Sequence, residues 1–330
     1  MSARIMRKLL WVLSFAVLFF SCGNRDTVVT AKRAFPQEKK IRAVRIPAGE
    51  TMNPGHMLQK GDYLIIESIL SPKMLFVYSA PDLRFVCATG NKGNGPDEFP
   101  SIPFLIDSQT DSIYVFGYGL RYLKSMAVDP AAGVRLTERY ALPFHEAFNS
   151  MHLLKDSVLV YQTVMPPQYS IKKYNLRQNE MIGELKMERE SPQEELAWDL
   201  SRGKMAANDS VIVYVYLYKN QIDLYDLETL ELKKRIVGEY KLQQPTFKDE
   251  ELYYVSAFAG KKYFYALFKG ERNAEGKNPS NTIEVYDYDG NPVALYRFDM
   301  PPLYFYPDEK NNCIYATHPA CMDTLLRYDL

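Results

Sequence analysis

A short phrase recurs down the chain: Asp62-Tyr63-Leu64-Ile65-Ile66, Asp111-Ser112-Ile113-Tyr114-Val115, Asp156-Ser157-Val158-Leu159-Val160 and Asp209-Ser210-Val211-Ile212-Val213. The first residues of successive copies stand 49, 45 and 53 positions apart. The same step leads on to two degenerate copies, Lys262-Tyr263-Phe264-Tyr265 and Asn312-Cys313-Ile314-Tyr315. A period near 50 built from β-branched and aromatic runs marks one sheet per repeat, stacked around an axis. The reading is therefore an all-β, six-bladed β-propeller of four-stranded blades.

The strand rhythm is clearest in the fourth repeat, with Val211–Leu217, a Lys219-Asn220 turn, Gln221–Asp226, a Glu228-Thr229 turn and Leu232–Val237. Its Val-Ile-Val-Tyr-Val-Tyr-Leu run lacks polar alternation, so both faces of that strand should be covered by neighbouring sheets. The recurring Asp reads as a turn residue whose carboxylate bonds a backbone N–H two residues on. The last repeat supplies only Leu303–Tyr306, Asn312–Thr317 and Thr324–Asp329. Residues 40–47, which belong to no blade, are expected to supply its outer strand and close the ring, so that no sheet edge is left open. One segment breaks the rhythm. Ser191-Pro192-Gln193-Glu194 is a capping box with Pro at the first helical position, and predicts a short helix over 192–200.

The N-terminus carries Arg4, Arg7 and Lys8, then the apolar run Leu9–Phe20, then Ser21-Cys22-Gly23. The run is too short to span a bilayer comfortably and reads as a signal peptide over residues 1–21. A small residue followed by Cys at its end resembles a bacterial lipobox, which makes Cys22 the lipidated first residue of the mature chain. Several acyl chains on one Cys give stable anchoring. Residues 22–40 then read as the anchor and a flexible tether reaching on the order of 25 Å. Residues 41–330 are the propeller domain.

Without the three basic residues of the signal, 37 basic residues face 40 acidic ones. A nucleic acid partner would demand a basic face, so that class is excluded. Cys87, Cys313 and Cys321 form no disulfide framework and no CxxC. Cys313 and Cys321 read as buried thiols, a pair across a hairpin being the alternative.

Gly90-Asn91-Lys92-Gly93-Asn94-Gly95-Pro96-Asp97-Glu98-Phe99 joins the first blade to the second. Here the chain resembles the TolB-like six-bladed β-propeller lipoproteins of bacterial cell envelopes, whose first inter-blade loop commonly reads Gly-x-Gly-Pro-Gly-Glu-Phe. Gly93, Gly95, Pro96, Glu98 and Phe99 match, and Asp97 stands in place of a Gly. The resemblance implies a fold and an address at the cell envelope, at the outer membrane and facing either the periplasm or the exterior. It implies no ligand or activity. Physically, the glycines permit close backbone approach, and Phe99 is an apolar wedge suited to sealing two blades. No Gly-Lys-Ser/Thr follows, so the loop is no phosphate cradle, and no cofactor is implied.

His56 and His152 precede their key Asp by a few residues and are expected on inner strands facing the central channel. Neither they nor Cys313, His318 and Cys321 have the spacing of a metal site, so none is assigned. No Gly-x-Ser-x-Gly and no marked Ser, His and acid set occurs, so no catalytic residue is assigned. The expected function is a lipid-anchored, non-catalytic binding or scaffolding module, its partner an envelope protein or a glycan or peptide ligand. The alternative is a propeller hydrolase or lyase acting on a glycan or peptide in the channel. Long loops of a propeller emerge on one face, and loops on a rigid scaffold are where binding residues gather. Tyr118, Arg121, Gln168, Trp198, Lys219 and His318 are the polar and aromatic candidates there.

Overall fold

Every residue of Val211–Tyr216 is buried. Its side chains alternate between two packing partners, as the period-2 geometry of a strand requires. Val211, Val213 and Val215 face Tyr254 and Phe264 of the following sheet. Ile212, Tyr214 and Tyr216 face Val160 and Ile171 of the preceding one. Both faces are covered, which is why the run needs no polar alternation.

The computed structural model describes residues 28–330 except 69, 96–97, 109–111, 118–121, 130–132, 143–145, 156, 165–167, 190–197, 240–250 and 271–281. The fold is an all-β six-bladed propeller. Each of the first five blades is an antiparallel meander of four strands, the first strand innermost. In blade four these are Gly203–Ala207, Val211–Tyr216, Gln221–Asp226 and Leu232–Val237. Blades two and three also touch through a two-residue parallel pairing of their inner strands, His152 with Asp107 and Leu153 with Ser108. Among the described residues, apolar clusters fill the gap between each blade and the next. One of them packs Leu64, Ile66 and Phe76 of blade one on Cys313, Tyr315 and Leu325 of blade six.

Blade six consists of Tyr304–Asp308, Cys313–Thr317 and Thr324–Asp329, with Val44–Pro47 as its outer strand. That strand is antiparallel, with Thr324 opposite Pro47 and Arg327 opposite Val44. The preceding residues differ from the expected tether and from a single strand over 40–47. Val29–Ala31 pairs parallel with the outer strand of blade four, and Glu38–Ile41 with that of blade five. The cause is the row of unpaired backbone groups that an outer strand presents, which a passing extended segment can satisfy. Ile41 is then buried in the cluster between blades five and six. Phe35 meets Tyr286 edge-on at 5.3 Å.

The turn chemistry is also displaced by a residue from the expectation. Asn208 Oδ1, not Asp209, accepts the N–H groups of Ser210 (3.0 Å) and Val211 (2.9 Å). In blade six Asp308 does the same for Lys310 and Asn311. Asp62 instead pairs with Lys310 at 3.3 Å, while Asp111 and Asp156 lie outside the described residues. Most of the expected helix over 192–200 also lies outside them. Phe99 is fully buried between blades one and two, against Leu58, Ile65, Leu75 and Val115. Gly90, at φ +77°, is tightly placed: a Cβ there would sit 3.0 Å from the Phe99 ring, which would have to give by a few tenths of an ångström. Cys87, Cys313 and Cys321 are free thiols.

Candidate functional site

The inner strands of the six blades surround a central cavity of about 320 Å³, at the small end of ligand-binding sites. Blade connections and the loops between second and third strands emerge where each inner strand begins. Residues early in those strands therefore stand at the mouth shared with the long loops, and late residues at the opposite end. His56, Phe104, Lys204 and Tyr304 are early. Lys60 and Asp107 are late, and their ion pair at 2.8 Å bridges blades one and two at the far end.

At the mouth, the His56 and Tyr304 rings lie 4.1 Å apart. His56 keeps contact with channel solvent, but protein surrounds it on most sides. This desolvation, helped by the Lys204 charge, pushes its imidazole down to about 4. Glu67, from the second strand of blade one, is 4% exposed. Its Oε1 accepts the Leu105 N–H at 3.0 Å, tying blade one to the inner strand of blade two. Burial pushes its carboxyl up to about 8, against the opposing pull of the Leu105 and His56 backbone N–H groups. Burial lowers the His152 imidazole, against the opposing influence of Asp107 and the Met205 backbone, and its Nδ1 is buried without a hydrogen-bond partner among the described residues. Lys204, the residue before Met205, is lowered by burial and by Arg202.

Of the residues singled out in the sequence, Cys22, Tyr118 and Arg121 lie outside the described residues. Trp198 stacks on Tyr218 at 6.4 Å, and Arg202 donates to the Tyr218 hydroxyl at 3.2 Å. Gln168 Nε2 donates to the Met187 carbonyl at 3.4 Å. Lys219 is not the surface contact expected. It is 2% exposed, with its ammonium 4.0 Å from the Tyr216 ring centroid. A cation over an aromatic face, next to a well-packed strand, is held by the fold. These three sit along blades three and four, whereas His318 is in blade six, its Nδ1 accepting the Ala320 N–H at 3.1 Å.

His56 and His152 do line the channel, as their position before the repeated phrase predicts. Sequence reasoning missed Lys204, Glu67 and Tyr304. The inner strands of blades one, three and five carry register shifts near their starts, at Pro54/Met57, Phe148/Ser150 and Tyr254/Ser256. A bulge there breaks the alternation in those blades, but Lys204 and Tyr304 lie on regularly paired inner strands, and they and Glu67 were missed because no short-range pattern tells which polar side chain reaches the shared channel. Among the described residues, no three His, Cys, Asp or Glu side chains gather as a metal site.

A ring of six meanders around a lined axial cavity defines the class: a six-bladed propeller with its polar groups inside the channel. The family follows from comparison. The chain belongs to the TolB-like 6-blade propeller-like family, whose model matches residues 35–309. No curated protein matches it. Among solved structures it is similar to a Bacteroides fragilis protein described as exported, with a TM-score of 0.55 and 11% identity over 91% of this chain and 98% of that one. It is also similar to a gluconolactonase of Xanthomonas campestris, with a TM-score of 0.51 and 9% identity over 87% and 90%. At such identities the likeness concerns the fold.

Proposed function

We propose that this protein is a lipid-anchored, cell-envelope binding module that takes its ligand non-catalytically at the loop-side mouth of the channel. The observation that carries the reading is the cavity, whose wall carries Lys204 and the His56–Tyr304 pair at the mouth and His152 further in. An envelope address is supported by the family and by the exported relative in Bacteroides fragilis. Anchoring at Cys22, on the outer membrane, extends the lipobox-like start of the sequence.

A second reading, catalysis in the channel, draws on the displaced ionisations of Glu67 and His56. The commitments of Glu67 favour binding. Its carboxyl is spent on a backbone N–H of the next blade, as an interblade strut rather than a free acid. The equivalent side chain in blade three, Gln162, does the same work by donating to the Gly203 carbonyl at 3.1 Å.

The test is retention of small molecules. The full-length protein in detergent is equilibrated with an envelope extract, washed by ultrafiltration and analysed by mass spectrometry. A Ser256→Trp variant, which fills the cavity, is the control. A compound retained unchanged by the wild type and lost by the variant supports the proposal. Equal retention by both overturns the channel site, and release of a chemically altered compound favours the enzyme.

A further inference from the structure

We infer that a short lipid leash holds the outer rim of blades three and four, at the end opposite the channel mouth, against the bilayer, so that the mouth opens away from the membrane. The inference rests on lipid anchoring at Cys22 and adds the orientation that such an anchor imposes.

The pairing of the N-terminal segment sets the length of the leash. Val28 is already held to the propeller, its carbonyl accepting the Arg235 N–H at 2.7 Å, and the Lys32 N–H donates to the Val237 carbonyl at 2.7 Å. The Lys32–Glu284 ion pair at 2.5 Å pins the segment between blades four and five. Only residues 23–27 therefore separate Cys22 from a fixed point, a reach of at most about 20 Å. A free chain from Cys22 to Ile41 would extend about three times as far and impose no orientation.

The direction of the added strand selects the end. Inner strands begin at the mouth, so in a four-stranded meander the outer strand begins at the opposite end. Val29–Ala31 runs parallel to the outer strand of blade four, with Val29 opposite Arg235. The residues before Val28 therefore arrive from the end opposite the mouth. To lay the mouth on the bilayer, this short length would have to reverse and run back along an outer strand that is itself about 20 Å long.

The side chains at that rim suit a lipid surface. Val28 and Val29 are exposed, as are Met181 and Ile182 near the start of the outer strand of blade three, Glu180–Lys186. The two corners adjoin, because Leu230 in the last turn of blade four lies 3.2 Å from where a Gly183 Cβ would stand. Exposed apolar side chains beside a lipid anchor bury themselves at the headgroup boundary, and the anchor supplies their effective concentration. A second exposed apolar group, Met52, Leu70, Leu303 and Met322, flanks the mouth on blades one and six. In a ring of six, those blades stand across the axis from blades four and three. One flat bilayer cannot meet both groups, and the leash selects the first.

The experiment reconstitutes the full-length acylated protein in vesicles of phosphatidylethanolamine and phosphatidylglycerol that contain a spin-labelled lipid. Cys87→Ser and Cys321→Ser remove the partly exposed thiols. A fluorophore is then attached at Glu180→Cys on the rim or at Ala320→Cys beside the mouth, both exposed positions. Quenching at position 180 should exceed that at position 320 at least threefold. A twenty-residue Gly-Ser insertion between Asp26 and Thr27 lowers the effective concentration of the rim at the bilayer about ninefold, and should bring the two probes within twofold of each other. Melting temperatures equal to that of the wild type establish that each variant is folded. Intact mass reads the anchor itself: a mature chain without acyl mass ends the anchoring reading and this inference with it. Acylated protein whose probe at 320 is quenched as strongly as that at 180 overturns the orientation while the anchoring stands. So does a difference between the probes that survives the insertion. Crosslinking of Glu180→Cys between copies of the chain, in place of quenching, would make the rim a contact between copies and overturn the inference in the same way.

Discussion

Lys32 reaches in from the N-terminal segment and pairs with Glu284 between blades four and five, Nζ to Oε1 at 2.5 Å. The ammonium also donates to Asn220 Oδ1 and the Tyr254 hydroxyl, each at 3.3 Å, and lies 4.1 Å from the Phe268 ring centroid. The other carboxylate oxygen of Glu284 accepts from Tyr254 (3.0 Å) and Tyr286 (2.9 Å). A residue from the expected tether thus satisfies a buried acid of the propeller.

Lys32→Ala should therefore cost about 3–5 kcal/mol of unfolding free energy, because it strands a buried carboxylate. Lys32→Met with Glu284→Gln should recover much of that loss. Urea denaturation of the three proteins checks both statements, and a neutral Lys32→Ala would sink them.

Truncation gives a coarser view of the same segment. A chain beginning at Val28 should melt with the full-length protein. One beginning at Arg42 should melt lower, since it loses the strands on blades four and five and the Lys32 anchor. One beginning at Ala48 should melt lower still, without the outer strand of blade six. Identical melting of all three would show that the segment contributes no stability and that the ring holds without it.

Glu67 should make stability depend on pH in a stated direction. Its folded pKa, about 8, lies above the ordinary 4.5. The native state keeps a proton that the unfolded chain releases. This contribution is full below about pH 4.5 and is lost as pH rises toward 8. Glu67→Gln mimics the neutral form, so its advantage over the wild type should be near zero at low pH and grow to a few kcal/mol above pH 8. A pH-independent difference between the two proteins would reject this role.

Phe99→Ala should destabilise by about 3–5 kcal/mol through the cavity it leaves between blades one and two. Gly90→Ala should cost at least about 1–2 kcal/mol through its left-handed backbone, with the tight approach of its Cβ to the Phe99 ring adding to that. Thermal denaturation reads both. A tolerant Phe99 would mean that the loop does not seal the blades.

Cys22→Ala should leave the precursor unprocessed at this site and lacking its lipid. Fractionation and intact-mass measurement are the readouts. Wild-type mature protein lacking acyl mass would end the anchoring proposal.

The repeated phrase carried most of the fold. Gln221–Asp226, Leu232–Val237, Tyr263–Phe268 and Thr282–Asp287 fall where the periodicity puts them. Local alternation and turn residues act within a few positions, so a single sequence reveals them. Phe99 was legible for the same reason, an aromatic closing a glycine loop. Residues 28–41 were not legible, because their polar composition matches a tether. Only the open outer edges of blades four and five, distant in sequence, turn them into strands.

The candidate site divides along the same line. His56 and His152 could be assigned to inner strands from their distance to the repeated phrase. Lys219 could not be separated from a surface lysine, since its burial over Tyr216 depends on the packing around it. What the sequence by itself determined is the number of blades and the run of strands within them, because both follow from short-range patterning. What only the tertiary structure decided is which side chains share the channel and which lack partners there. Lys204, Glu67 and His152 come from three blades, and their charge and hydrogen-bonding state are set by neighbours that ring closure brings together across some 140 residues of chain.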